Sequence, residues 1–270
     1  MDEYRESNRK LWNAWTHINA NSEFYDLEAF KRGKLSLHTL EMEELGDVSG
    51  KSLLHLQCHF GKDTLSWARL GAQVTGVDFS EEAIKLARSL SDDLGIPATF
   101  VLSDIYDLPQ NLSGQFDVIF TSYGVLGWLP DIERWGETIA HFLKPGGTFY
   151  IVEVHPFLWV FDDDASDFQV KYDYFHKEPL RFDVKGSYAD PDADYTGVEY
   201  GWNHTIGDYV NALTSNGLRI EFLHEFPYIA WKALPFMEKG EGDSWHLPEG
   251  RAMIPLMFSM KATRELEKGQ

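Results

Sequence analysis

With 270 residues, 43% of them hydrophobic, the chain is long enough for one large α/β domain with room for a sizeable insertion. Its net charge of −19 disfavours nucleic acid and anionic membrane as partners, and the densest basic cluster, Lys31, Arg32 and Lys34, is too small for a binding stripe. No run of about eighteen apolar residues is present to span a bilayer. The opening MDEYRESNRKLWNAW lacks an apolar signal core, and the single cysteine, Cys58, allows no intramolecular disulfide, so a cytoplasmic protein, monomeric or homodimeric, is expected.

Taken in chain order, residues 1–50 carry Trp12, Trp15, Phe24, Tyr25 and Phe30 at irregular spacing. They predict one or two helices packed on a following domain. Residues 51–270 then predict that domain. KSLLHLQC (51–58) is an apolar run fit for a buried strand, and KDTLSWARLG is a helix stopped by Gly71. AQVTGVD is a second strand. In the next helix Ser80 is placed to cap, Ile84, Ala87, Ser91 and Leu94 share a face, and Gly95 fits the C-terminal turn. ATFVLSD and FDVIFTS are strands three and four. A helix capped by Asp131 carries Ile132, Trp135, Ile139, Phe142 and Leu143 at helical spacing and ends at KPGG (144–147), before strand five, TFYIVEV.

The pattern changes over about 156–200, an aromatic- and aspartate-rich insertion with strand-like pieces FQVKYDYF and LRFDVKGSY, expected as antiparallel hairpins. Alternation resumes with a helix capped by Thr205 and stopped by Gly217, then strands LRIEFLHEF and RAMIPLMFSMKA. The fold class is therefore α/β: a mostly parallel seven-stranded sheet with helices on both faces and an aromatic-rich insertion after strand five.

In such sheets ligands bind outside the carboxyl ends of the strands. Those ends here are QCHFGKD, Asp78-Phe79-Ser80, Asp104-Ile105, Ser122-Tyr123-Gly124, and Glu153 with His155. Gly61 stands where the backbone must turn tightly, and Asp78, seventeen positions later, can accept from a ribose diol.

LLHLQCHFGKDTLSWARLGAQVTGVDFSEEAIKLAR, SDIYDLP, FDVIFTSYGVLGWLPD and LKPGG together resemble the class I (Rossmann-like) S-adenosylmethionine-dependent methyltransferases, in their bacterial small-molecule branch. The resemblance implies transfer of a methyl group from S-adenosyl-L-methionine to a small-molecule nitrogen or oxygen. It places Gly61 and residues 57–60, Gln57 and His59 among them, against the methionine part of the cofactor. Asp78 would hold the ribose, Phe79 and Ile105 would flank the adenine, Asp104 would accept from its amino group, and Ser122 and Tyr123 would border the sulfonium. The usual loop has an acidic residue followed by three alternating glycines; those positions are His55, Gln57, His59 and Gly61.

His59 has two readings, a donor to the cofactor carboxylate or a packed loop histidine, whereas His55, inside an apolar strand, suits a core position. His155, whose imidazole titrates near neutrality, is the candidate general base, or else lines the pocket and caps the turn before Pro156. Tyr123 is the second catalytic candidate, and with Trp128 could build an aromatic wall for a cationic group. No metal is expected: the Asp190, Asp192, Asp194 loop lacks the glycine and glutamate of a calcium loop, and Asp162 to Asp164 suit a solvated turn. Two other functions share these features: a non-catalytic module that binds S-adenosylmethionine or S-adenosylhomocysteine, and an NAD-dependent oxidoreductase, the latter disfavoured by the missing glycines.

Overall fold

A computed structural model describes residues 2–242 and 244–266. Three helices come first, α1 (Glu3–Asn21), α2 (Leu27–Lys31) and α3 (Thr39–Leu45). The alternating part follows as β1 (Ser52–Leu56), α4 (Lys62–Arg69), β2 (Gln73–Asp78), α5 (Glu81–Leu94), β3 (Thr99–Leu102), α6 (Leu108–Asn111), β4 (Phe116–Ser122), α7 (Ile132–Phe142) and β5 (Leu143–Val154). Beyond it lie β6 (Leu180–Lys185), β7 (Thr196–Gly201), α8 (Ile206–Ser215) and β8 (Leu218–Phe226). Three two-residue strands, β9 (Tyr228–Ile229), β10 (Glu238–Lys239) and β11 (Trp245–His246), precede β12 (Met257–Arg264).

Seven strands form the main sheet in the order β3-β2-β1-β4-β5-β12-β8. The first five are parallel, and β12 runs antiparallel to both of its neighbours. Four of the five residues of β1 are buried, as a strand covered on both faces requires. One face carries α7 and α8, whose Trp135, Ile139, Tyr209 and Leu213 pack on Ile119, Phe149 and Ile151. The other carries α3, α4 and α5: Leu45 and Trp67 pack on Val118 and Phe120, while Leu65, Ile84 and Leu90 pack on Phe100.

Local chemistry sets the helix starts. Ser80, Asp131 and Thr205 each accept a backbone N–H from three residues on, and Gly95 ends α5 in the left-handed conformation.

Four details differ from the sequence expectation. The N-terminal segment makes three helices. Helix α7 stops at Phe142, and residues 144–147 already belong to β5. FQVKYDYF contributes only an isolated bridge, Phe161 with Val170, and Val170 and Phe175 stand 71% and 75% exposed. Alternating residues without a partner strand have no ladder to join. Residues 180–201 do form an antiparallel hairpin, β6 with β7. A second excursion, unforeseen, fills 227–256 with the small β10-β11-β9 sheet over Val154, Leu158, Ile229, Leu234 and Leu256.

Candidate cofactor and acceptor site

Of the polar strand ends, Asp78 after β2 bonds the β1–α4 loop directly, and Ser122 after β4 meets Asp63 in the first turn of α4. In that loop the backbone takes left-handed angles at alternate residues: Gln57 (φ 56°), His59 (φ 50°) and Gly61 (φ 79°). A Cβ on Gly61 would lie 2.7 Å from the Phe100 ring, so packing as well as φ demands glycine. Gln57 and His59 adopt the same geometry with side chains attached, a conformation uncommon outside glycine and strained unless something compensates.

Hydrogen bonds pin the loop. The Cys58 N–H donates to Val77 O (2.9 Å), and Gln57 Nε2 donates to Val125 O (3.0 Å). Asp78, at the end of β2, accepts from His59 N (2.8 Å) and Ser80 N (2.9 Å). Burial pushes the Asp78 carboxyl up to about 6, against the lowering effect of these N–H donors. Two buried atoms of this loop have no hydrogen-bond partner: Gln57 Oε1 and His59 Nε2. Burial also pushes His59 down to about 3 and His55 to about 4, so both rings are neutral at pH 7. His55 sits in the core with Nδ1 2.8 Å from Thr64 Oγ1.

The end of β3 is tied to the N-terminus. Arg5 of α1 meets Asp104 Oδ2 at 3.1 Å, and Asp104 Oδ1 accepts from Tyr106 N at 2.9 Å. Arg9 bonds Glu81, and Asn13 bonds both Glu81 and Ser80 at the start of α5. Phe79 is half-buried beside Asp78, but Ile105 is buried in the main core, packed under α7.

Helix α1 also places Trp12 over the loop, its ring 5.1 Å from that of His59 and 5.2 Å from that of Trp128. Tyr188, between β6 and β7, lies 6.0 Å from Trp12 and shares a hydrogen bond with Tyr25. The helix, the 22–26 turn and the hairpin therefore meet above the β1–α4 loop.

At the end of β4, Ser122 Oγ lies 3.3 Å from Asp63 Oδ2, and Asp63 Oδ1 accepts from Ser36 Oγ. Tyr123 (φ 26°) donates its hydroxyl to Glu41 Oε2 at 2.9 Å, and its ring neighbours are His38 and Trp231. Trp128 faces Trp12 and Trp15, with Nε1 donating to Gly124 O. The single aromatic wall expected of Tyr123 and Trp128 is thus two clusters. Glu41 was not anticipated: it lies in α3, fully buried, and closes a capping box by accepting from His38 N at 2.8 Å. Its position three residues after a helix-capping site was the available signal.

Burial, with Asp63 nearby, pushes Glu41 up to about 8. A carboxyl raised above its unfolded value binds a proton more tightly when folded, so its contribution is full below about pH 4.5 and is lost as pH rises through 8. Glu41→Gln, which cannot ionise, should flatten that dependence. Urea unfolding should leave the variant close to wild type at pH 5 and more stable by on the order of 2 kcal/mol at pH 9. Parallel pH profiles would contradict the assignment.

At the end of β5, His155 is committed elsewhere: Nε2 is 2.9 Å from Glu225 Oε1 on β8, and Nδ1 accepts from Phe157 N at 3.1 Å. Among the described residues no hydrogen bond or ring contact joins it to Ser122, Tyr123 or the β1–α4 loop. Glu153 turns its carboxylate to the backbone of 124–126. The Asp162–Asp164 carboxylates come within 4.8 Å of one another at the surface, and Asp162 is paired with Lys171.

A mostly parallel sheet whose last strand in the sequence, β12, inserts antiparallel between β5 and β8 has counterparts among solved structures. Residues 53–147 match the family described as a methyltransferase domain. Residues 53–147 thus carry a methyltransferase domain, and the sheet as a whole shares the fold of solved S-adenosylmethionine-dependent methyltransferases.

A methyltransferase of Clostridium acetobutylicum superposes with a TM-score of 0.60 at 15% identity, covering 94% of this chain and 99% of that one. One from Mesorhizobium loti gives 0.58 at 21% identity, covering 87% and 100%. In sequence, an uncharacterised methyltransferase of Synechocystis sp. is 33% identical over 132 residues, 48% of this chain and 59% of its own length. A ubiquinone biosynthesis O-methyltransferase of Xanthomonas euvesicatoria pv. vesicatoria is 33% identical over 105 residues, 39% and 44% respectively. The chain thus spans about half the length of the curated relatives it matches. Among the described residues no helix is long and apolar enough to cross a membrane.

Proposed function

We propose that this chain transfers a methyl group from S-adenosyl-L-methionine to a nitrogen or oxygen of a small molecule. The observation carrying this reading is Asp78: a buried carboxylate at the end of β2, hydrogen-bonded to the loop that carries left-handed residues 57, 59 and 61. The residues fit the cofactor. Gln57 Oε1 and His59 Nε2 are buried polar atoms awaiting partners, and each carboxylate oxygen of Asp78 and Asp104 has lone pairs beyond the contact described.

Asp78 would hold the ribose hydroxyls. Phe79 would pack on the adenine, Asp104 would accept from its amino group with Arg5 still attached, and Ile105 would support that slot from the core side. Gly61, Gln57 and His59 would receive the methionine part, with Ser122 and Tyr123 beside the sulfonium. When bound, the cofactor supplies an electrophilic methyl group for in-line displacement, so the chain's task is to orient the acceptor. Tyr123, hydrogen-bonded to Glu41, is the polar group proposed at the acceptor, while His155 orients the end of β5 through Glu225. The net charge of −19 disfavours a nucleic-acid acceptor. Similarity to the Xanthomonas ubiquinone biosynthesis O-methyltransferase favours oxygen as the acceptor atom.

A binding-only module is the second reading, favoured by the engagement of His155 with Glu225. Isothermal titration calorimetry should show binding of S-adenosylhomocysteine and none of NAD; the reverse result would sink the proposal. Release of S-adenosylhomocysteine on incubation with a metabolite pool then separates enzyme from module.

A further inference from the structure

We propose that Gln57 and His59 divide the amino-acid end of the cofactor between them, Gln57 Oε1 accepting from its α-ammonium and His59 Nε2 donating to its α-carboxylate. This rests on the function proposed above and assigns chemistry to two side chains that stand where the family's loop has glycines.

The backbone supplies the first argument. Both residues hold left-handed φ values, 56° and 50°, that glycine would take without strain. Side chains kept at such positions need a compensating role. The second argument is polarity. Gln57 Nε2 donates to Val125 O at 3.0 Å, which fixes the amide: turned the other way, its oxygen would face a carbonyl. The end left over is Oε1, buried and unpaired, and it can only accept. An ammonium is the complementary group.

His59 presents the opposite need. Its backbone N–H is spent on Asp78 Oδ2, and its ring lies among Trp12, Tyr25 and Phe60, with centroids 5.1, 5.4 and 4.3 Å away. Buried among rings, the imidazole stays neutral at pH 7, and one nitrogen then carries a proton to donate. Nε2 is buried without a partner. Lys62, in the first turn of α4, lies close enough for its charge to act on His59, and a cation there also favours a carboxylate.

Calorimetry on the full chain with three ligands tests the division. S-adenosylhomocysteine carries both groups, its decarboxylated analogue only the amine, and 5′-methylthioadenosine neither. Gln57→Gly and His59→Gly suit the backbone, and unchanged or raised melting temperatures will show that both fold. His59→Gly should weaken S-adenosylhomocysteine about tenfold or more and leave the other two unchanged, because a hydrogen bond to a charged group is lost. Gln57→Gly should weaken S-adenosylhomocysteine and the decarboxylated analogue by a similar factor and spare 5′-methylthioadenosine. Equal losses on all three ligands, or none, would overturn the inference and leave the methyltransferase reading standing. Failure of the wild-type chain to bind any of the three would instead overturn that reading itself.

Discussion

Glu153→Ala is expected to destabilise the chain by about 4 kcal/mol, because four backbone donors, three of them buried, lose one shared acceptor. Glu153 is 3% exposed. Its Oε1 accepts from Gly124 N (2.5 Å) and Val154 N (2.6 Å), and its Oε2 from Val125 N (2.7 Å) and Leu126 N (3.1 Å). Each orphaned N–H costs about 1–3 kcal/mol, and water entering the space relieves part of the sum. Glu153→Gln keeps the volume but points an amide N–H₂ at an N–H, so about half the loss is expected. Burial raises the Glu153 carboxyl although its four N–H donors lower it. A raised carboxyl contributes most below its unfolded value and less as pH climbs, so the wild-type margin should narrow toward alkaline pH. Denaturant unfolding measures all of this. A Glu153→Ala variant within about 1 kcal/mol of wild type would show that water serves these donors equally well.

Asp78→Ala should weaken S-adenosylhomocysteine binding by about 100-fold at pH 7.5, as expected for two lost hydrogen bonds from the ribose to a charged group. The pH dependence sharpens the case. Because burial raises the Asp78 carboxyl from its ordinary 3.8 to about 6, the folded chain holds that proton more tightly than the unfolded one. The residue's contribution to stability is therefore full below about pH 4 and falls as pH rises through 6. Cofactor binding moves the other way: it uses the ionised carboxylate, so affinity should rise from pH 5 to about 6.5 and then level off. Calorimetry across that range, on wild type and variant, reads both trends. Near-normal affinity in Asp78→Ala would remove the basis for the proposed site.

How much of this was legible beforehand depended on range. Ser80, Asp131 and Thr205 were recognisable as caps because a cap is decided within three residues. The central strands β1, β2 and β4 were recognisable because parallel strands covered on both faces are continuous apolar runs. Pairings across distance were not. Arg5 and Asp104 are 99 positions apart, and nothing local marks them as partners. Arg5, Arg9 and Trp12 do fall on one flank of α1 by spacing, beside the buried face of Asn8, Leu11 and Trp15, but spacing alone does not say what they meet. The β9–β11 sheet escaped notice because two-residue strands have no period to detect. Tyr123 and Trp128 are five apart in sequence, yet a left-handed Tyr123 and Gly124 turn the chain between them, so their rings face different clusters.

The position of β12 sets an order on how the sheet can come apart. Within the sheet β8 pairs with β12 alone, and β12 alone joins it to β5. Any fluctuation that frees residues 257–264 therefore strips β8 of its ladder as well, while β8 can fray without disturbing β12. The amides of the edge strand can be no better protected from exchange than the opening of its neighbour allows. The parallel half that carries residues 57–61, 78 and 104 lies on the far side of β5 and is not subject to that ceiling.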